Sequence, residues 1–320
     1  MRIRTAVAAL GAAALLVAPS AGARTHLVLL GVHGNAARFD SLTGRLPAIA
    51  HVFVGFDQGP ALQRVVAAMK PVPLLALVPG SYGSPETGTP RSIALGGQDA
   101  FLFDVNAAIA AFRGPLFYLR PFPEMNGSWE AECAYNANGT PRDAAHAVRW
   151  TRKAFARIAI IARGGTAAHL TAQLHRLGLP GVARDLPVNT PKVRIVWNPQ
   201  GFGSPDLAGN SAAAYWPGAR YVDVVGDDLY DIGFKAEWAA AEAMYRRWPT
   251  KPFAFPEWGL WGIDDPSFVR QMHTWVATHA RTAFISYYSG RPGSIWDLAS
   301  KPRSLALYRA LIDPLEAPAP

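Results

Sequence analysis

Two stretches of the sequence concentrate groups that can do chemistry. Residues 116–132 read Leu-Phe-Tyr-Leu-Arg-Pro-Phe-Pro-Glu-Met-Asn-Gly-Ser-Trp-Glu-Ala-Glu. The stretch opens apolar and β-prone, then breaks at Pro121, Pro123 and Gly127, because proline offers no donor to a strand ladder. Around that break stand a guanidinium (Arg120), a carboxylate (Glu124), an amide (Asn126) and an indole (Trp129). Residues 251–259, Lys-Pro-Phe-Ala-Phe-Pro-Glu-Trp-Gly, deliver a second carboxylate, Glu257, in a similar context. Two strand ends that each present a glutamate near a tryptophan suggest a carboxylate pair. Such a pair can cleave a glycosidic bond, one acid protonating the leaving oxygen while the other carboxylate meets the oxocarbenium-like carbon. A separation of ~5–5.5 Å gives retention through a covalent intermediate, and a wider one gives inversion.

The elements that must position these groups follow from hydrophobic periodicity. Strands are predicted at residues 27–32, 51–56, 71–78, 116–119, 193–197, 221–226, 253–255 and 283–288. Helices are predicted at 61–69, 99–112, 141–162, 235–247, 266–280 and 305–312. In the second helix Phe101, Val105, Ala108, Ile109 and Phe112 share one face. Residues 79–90 read as a loop, and 164–190 as an insertion with a short helix around 168–177. Eight short apolar strands alternating with helices predict a single-domain (β/α)8 TIM barrel over residues 24–313, with a tail at 314–320. The alternative is an open doubly wound sheet, but no Gly-x-Gly-x-x-Gly follows the first strand, so dinucleotide binding has no support. A barrel carries its active site at the C-terminal ends of the strands. Arg120, Glu124, Asn198, Asp228, Tyr230 and Glu257 all fall there, and strands four and seven lie across the mouth from each other.

Composition narrows the function further. Arg2 and Arg4, the apolar run 6–18 and Ala21-Gly22-Ala23 have the order of a secretory signal peptide cleaved near Ala23. This predicts a secreted or periplasmic protein with no membrane span after signal removal. The apolar run is short for a span of ~20 residues. Cys133 is the only cysteine among 320 residues, so no internal disulfide can form and the core must suffice alone. The formal charge is +8, carried mostly by scattered arginines. Arg142, Arg149, Arg152, Arg157 and Arg163 read as a solvated helix face, and no nucleic-acid partner is expected. Ten tryptophans exceed what a core needs and suit flat, amphipathic ligands such as sugar rings. Dispersed histidines without ligand spacing predict no metal. Cys133 lacks the setting of a thiol nucleophile, and no Gly-x-Ser-x-Gly elbow is present. No cofactor is expected, and the protein is expected to act as a monomer.

Residues 120–129, Arg-Pro-Phe-Pro-Glu-Met-Asn-Gly-Ser-Trp, resemble the acid/base motif of glycoside hydrolase family 26, the β-mannanase family of the retaining (β/α)8 clan. Residues 215–230, Tyr-Trp-Pro-Gly-Ala-Arg-Tyr-Val-Asp-Val-Val-Gly-Asp-Asp-Leu-Tyr, resemble its sixth-strand motif, and residues 251–259 its nucleophile motif. The resemblance runs from about Gly96 to Arg309. It implies Glu124 as general acid/base, Glu257 as nucleophile, and Tyr230 as the hydrogen-bond donor that keeps the nucleophile ionised. It places Arg120, Asn126 and Trp129 around the first carboxylate and the bound sugars. Asn198 and Asp228, by their places at strand ends, are further candidate substrate contacts. Trp197, Trp258, Trp261 and Trp296 are candidates for sugar stacking. The chain departs from the family at Pro123, where a substrate-contacting histidine usually precedes the acid/base glutamate.

These readings predict a secreted, retaining, endo-acting glycoside hydrolase whose substrate is a polysaccharide or oligosaccharide, with β-1,4-mannan leading. Two alternatives stay open: another β-glycan, either β-1,3-xylan or mixed-linkage β-glucan, and a catalytically silent barrel that only binds glycan. Glu130 and Glu132 are expected to be loop charges, and Trp150, Trp238 and Trp275 packing residues.

Overall fold

The computed structural model describes residues 26–80 and 85–320; the expected signal peptide lies outside them. Among the described residues nine strands, all parallel, form one closed sheet. They are β1 Leu29–Gly34, β2 Ile49–Gly55, β3 Val72–Val78, β4 Phe117–Pro121, β5 Val193–Trp197, β6 Val224–Gly226, β7 Leu229–Ile232, β8 Phe253–Trp261 and β9 Thr282–Gly290. The order is β6-β5-β4-β3-β2-β1-β9-β8-β7, and a further β6–β8 pairing closes the ring. β6 and β7 both pair with β8, so they are two halves of one stave and the barrel has eight.

The sixth stave breaks at Asp227-Asp228 for a local reason. A Cβ on Gly226 would stand 2.8 Å from the Pro256 ring, so only glycine lets β8 approach this closely. The Asp227 N–H donates to the Ala254 carbonyl at 3.2 Å. Asp228 then substitutes a side chain for a strand carbonyl, its Oδ1 accepting the Glu257 N–H at 2.9 Å.

The barrel interior is divided along its axis. Leu29, Ile49, Leu74, Tyr118, Val196 and Phe284 fill the end where the strands begin. Toward the opposite end the buried inward residues become polar, with His51, Arg120, Asp228 and Glu257 among them. A second, larger apolar layer separates the sheet from the helices.

Those helices are α1 Ala36–Thr43, α2 Gly59–Ala68, α3 Pro90–Ala94, α4 Asp99–Ala111, α5 Val148–Arg163, α6 Ala167–His175, α7 Trp238–Arg247, α8 Pro266–Thr278 and α9 Pro302–Leu307. The first was not among the predicted helices. Asn35 caps it, accepting the Arg38 N–H at 2.9 Å. None of these helices is long and apolar enough to cross a membrane.

The helix expected to begin at residue 141 begins at Val148. Asp143 diverts the backbone before it by accepting the N–H groups of Ala145 (2.7 Å) and His146 (3.0 Å). Arg142 is therefore not on a helix face. Its guanidinium donates to the carbonyls of Ser128, Glu130 and Ala131 and gathers the loop after β4. Arg157, also expected at the surface, is fully buried and donates to Asp99 at 2.7 and 2.5 Å and to the Pro180 carbonyl at 2.8 Å. Truncating Arg157 to alanine would strand Asp99 and is expected to cost about 3 kcal/mol, the lower end for a broken buried pair because Asp99 keeps some solvent contact. A denaturant midpoint unchanged from wild type would refute this.

Residues 164–190 lead from α5 to the start of β5, so they pack at the end of the barrel opposite the strand C-termini. Asn106 fastens them there through bonds to the carbonyls of Ile161, Ala162 and Pro187. The C-terminal tail is not loose either. Ala317 N–H donates to the Val28 carbonyl at 2.7 Å, and Glu316 accepts the Leu30 N–H at 3.1 Å.

Candidate active site

β4 ends in an unusual turn that aims Glu124. Phe122 and Glu124 both have positive φ, 53° and 51°, a conformation that costs a non-glycine residue about 1–3 kcal/mol. Neighbouring staves hold it. The Phe122 N–H donates to the Leu77 carbonyl at 3.0 Å, and the Glu124 N–H to the Asn198 carbonyl at 2.8 Å. Pro123 between them is buried and has no N–H to satisfy. Asn126, expected near sugar, is fully buried and structural. Its Nδ2 donates to the carbonyls of Gln200 (3.0 Å), Phe202 (3.3 Å) and Asn210 (3.2 Å), and its Oδ1 accepts the Gln200 N–H at 2.7 Å. Gln200 is thereby fixed beside Glu124.

On β8 a bulge performs the aiming. Alternation from Ala254, which faces the barrel interior, would turn Pro256 and Trp258 inward and Glu257 outward. The pairing with β9 instead slips by one residue between Phe255 and Trp258. That irregularity turns Glu257 into the mouth and Trp258 out among Phe268, Tyr287 and Tyr308.

Glu257 is held from both sides. Arg120 Nη1 donates to its Oε1 at 2.5 Å and the Tyr230 hydroxyl to its Oε2 at 2.6 Å. The same guanidinium donates through Nε to Asn198 Oδ1 at 2.5 Å and through Nη2 to Asp228. Burial alone would depress the Arg120 guanidinium, but the Asp228 and Glu257 carboxylates beside it outweigh that and hold it above its usual value. Arg120 is thus a permanent cation fixed by three side-chain acceptors, Glu257, Asn198 and Asp228.

Glu124 has a different environment. Burial first, then the Glu257 charge, push its carboxyl up to about 7. Trp129 Nε1 donates to its Oε2 at 2.7 Å, and Gln200 Nε2 donates to its Oε1. The indole is a donor only and favours the charged carboxylate. The Gln200 amide can turn its oxygen to a protonated carboxyl, so it serves both states. One carboxylate clamped by donors near another with a raised pKa is the separation that acid and nucleophile roles require.

The other expected contacts divide by burial. Asn198 and Asp228 are buried and engaged with Arg120, so they position the cation and are not open to a sugar. Trp197 and Trp258 are fully buried; Trp197 packs against Trp216 and Trp248 on the helix side of the barrel. Neither can stack on sugar. Trp129 and Trp261 are each 40% exposed, and Trp296 is half-buried against Trp261 with ring centroids 5.1 Å apart. Trp296 also lines an open cleft of about 860 Å³ with His33, Asn35, Tyr288, Arg291 and Ile295. Glu132 is no loop charge: it is fully buried, and burial pushes it up to about 8. Sequence reasoning missed His33, His51, Gln200 and Tyr288 as site residues. Position alone could have found His33 and Gln200, since both stand at or just past strand C-terminal ends.

Fold and site together define a parallel eight-stave barrel with two unlike carboxylates at its C-terminal mouth. Solved structures share the fold. The catalytic domain of the Bacillus sp. JAMB-750 GH26 endo-β-1,4-mannanase superposes with a TM-score of 0.58 at 16% identity, over 92% of this chain and 88% of that chain. The Bacillus subtilis mannanase BCman gives 0.55 at 17% identity, over 90% and 87%. The GH26 β-mannanase BoMan26A from Bacteroides ovatus gives 0.51 at 14% identity, over 88% and 89%. Likeness at this level of identity establishes the barrel. No protein-family model matches the chain, and no curated protein matches its sequence.

Proposed function

We propose that the protein is a retaining, endo-acting β-glycoside hydrolase acting on β-mannan-type polysaccharide, with Glu124 as general acid/base and Glu257 as nucleophile. The observation that carries this reading is the unlike pair: Glu257 clamped by Arg120 and Tyr230, and Glu124 near it with its carboxyl pushed up to about 7. Protonated Glu124 delivers its proton to the glycosidic oxygen as Glu257 attacks the anomeric carbon. Glu124, now ionised, then takes a proton from the water that releases the sugar. Trp129, which donates to Glu124, and Trp261 and Trp296, packed against Tyr230 and Tyr288, present partly exposed indoles around the pair. That supports cleavage within a chain. The mannanases sharing the fold support the choice of mannan.

A second reading, a barrel that binds glycan without cutting it, is favoured by Pro123, which presents no polar group where the resembled family places a histidine. A panel of β-mannan, β-1,3-xylan and mixed-linkage β-glucan separates the two. Release of oligosaccharides from mannan is expected. Release only from another glycan would move the substrate, and binding without release from any would remove the enzyme reading.

The acid role also sets a pH dependence. Glu124 works as an acid only while protonated, so kcat/KM is expected to fall as pH rises through about 7. The Trp129 N–H stabilises the charged carboxylate. Trp129→Phe should therefore favour the protonated form and move the falling limb upward by roughly half a pH unit. A limb that stays in place or moves down would show that the indole does not act on Glu124.

A further inference from the structure

His51 has no part in the chemistry above, yet it touches its central cation. It lies on β2 with its ring inside the barrel, 2% exposed. Its Nε2 stands 3.3 Å from Arg120 Nη1, the nitrogen that also donates to Glu257. A guanidinium has only donors, so Nε2 must be the acceptor and the ring's single proton must sit on Nδ1. Nδ1 has no hydrogen-bond partner among the described residues. Leaving a buried donor unpaired is unfavourable, and among the described residues the Nε2 contact is the ring's one polar interaction. The groups facing it are His33 from β1, whose Nδ1 lies 3.2 Å from the His51 carbonyl, and Arg120 from β4; Phe53 covers one side. Burial, Arg120 and His33 all disfavour a charge on the ring.

Nη1 of Arg120 carries two N–H groups. One holds the Glu257 carboxylate; the other, without His51, would have no acceptor. We propose that His51 is a positioning residue for the hydrolysis proposed above: an acceptor that fixes the rotation of the Arg120 guanidinium and so the aim of the N–H that holds Glu257. Like Asn198 on Nε, His51 meets the guanidinium without a charge, so it orients the cation without competing with Glu257 for it.

The test compares His51→Gln, His51→Asn and His51→Leu in the full protein, with 2,4-dinitrophenyl β-mannobioside as probe. Its leaving group needs no acid, so the pre-steady-state release of dinitrophenolate reads attack by Glu257 alone. Glutamine can place an acceptor where Nε2 stands, whereas asparagine places its polar atoms nearer Nδ1. His51→Gln is expected within about threefold of wild type. His51→Asn and His51→Leu are expected to lose about tenfold or more in the saturating release rate, with half-saturating concentration changed less than about twofold. Equal rates for Gln and Asn, or a loss confined to the half-saturating concentration, would overturn the inference. So would a fully active Leu variant. If Leu does not fold, the Gln–Asn pair decides alone. An inert wild type would overturn the hydrolase reading and the role of His51 with it, whereas an active wild type with indifferent His51 variants overturns this inference only.

Discussion

Replacing Glu257 by alanine is expected to lower turnover of β-mannan by on the order of 10⁴-fold or more, with binding of mannan retained. In the proposed mechanism this carboxylate forms the covalent intermediate, and two donors, Arg120 and Tyr230, hold it aimed. Truncation leaves a cavity floored by a cation, which suits a small anion. Azide should therefore rescue the variant, attacking the anomeric carbon from the nucleophile's side while Glu124 still protonates the leaving oxygen. That single displacement converts a β-glycoside into an α-glycosyl azide. Residual activity near wild type, or a β-azide product, would remove Glu257 from the nucleophile role.

Glu124→Ala is expected to give a different signature. Loss of the acid should slow cleavage of mannan by about 10²–10⁴-fold, but should barely slow the first step on a dinitrophenyl glycoside, which departs without a proton. The glycosyl-enzyme would then accumulate, because water has lost its base. Azide needs no base and attacks from the face that Glu124 vacated, so the product is the β-azide. The two variants thus predict opposite anomers from one reagent. The same anomer from both would contradict the assignment of roles.

Much of this architecture was legible because it depends on short-range pattern. Apolar runs alternating with helical periodicity give eight staves, and prolines mark the end of β4 and the irregularity within β8. Glu124 and Glu257 stand out because each follows such a mark. What the pattern could not give is direction. Strands covered on both faces read as continuous apolar runs, so nothing local says that Trp197 shares the outward face of Val193 and Ile195. In β8 the bulge exchanges the faces of Glu257 and Trp258, and a bulge in a buried strand leaves no clear mark in composition. The burial of Arg157 and Asn126 was hidden for another reason. Each is satisfied by partners distant in the sequence, Asp99 for the first and the loop around Gln200 to Asn210 for the second. Polar residues read as surface until such partners are known. His51 shows the same limit, since its ring's one polar contact among the described residues is with a side chain on another stave.

The central claim is that these two carboxylates act by double displacement on a β-linked glycan. A proton NMR time course of a mannooligosaccharide digest tests it most directly, by following the anomeric signals of the new reducing end before mutarotation. The account predicts the β-anomer first, with the α-anomer growing in only as the sugar equilibrates. An α-anomer formed first would mean a single displacement by water and would contradict the assignment of Glu257 as nucleophile.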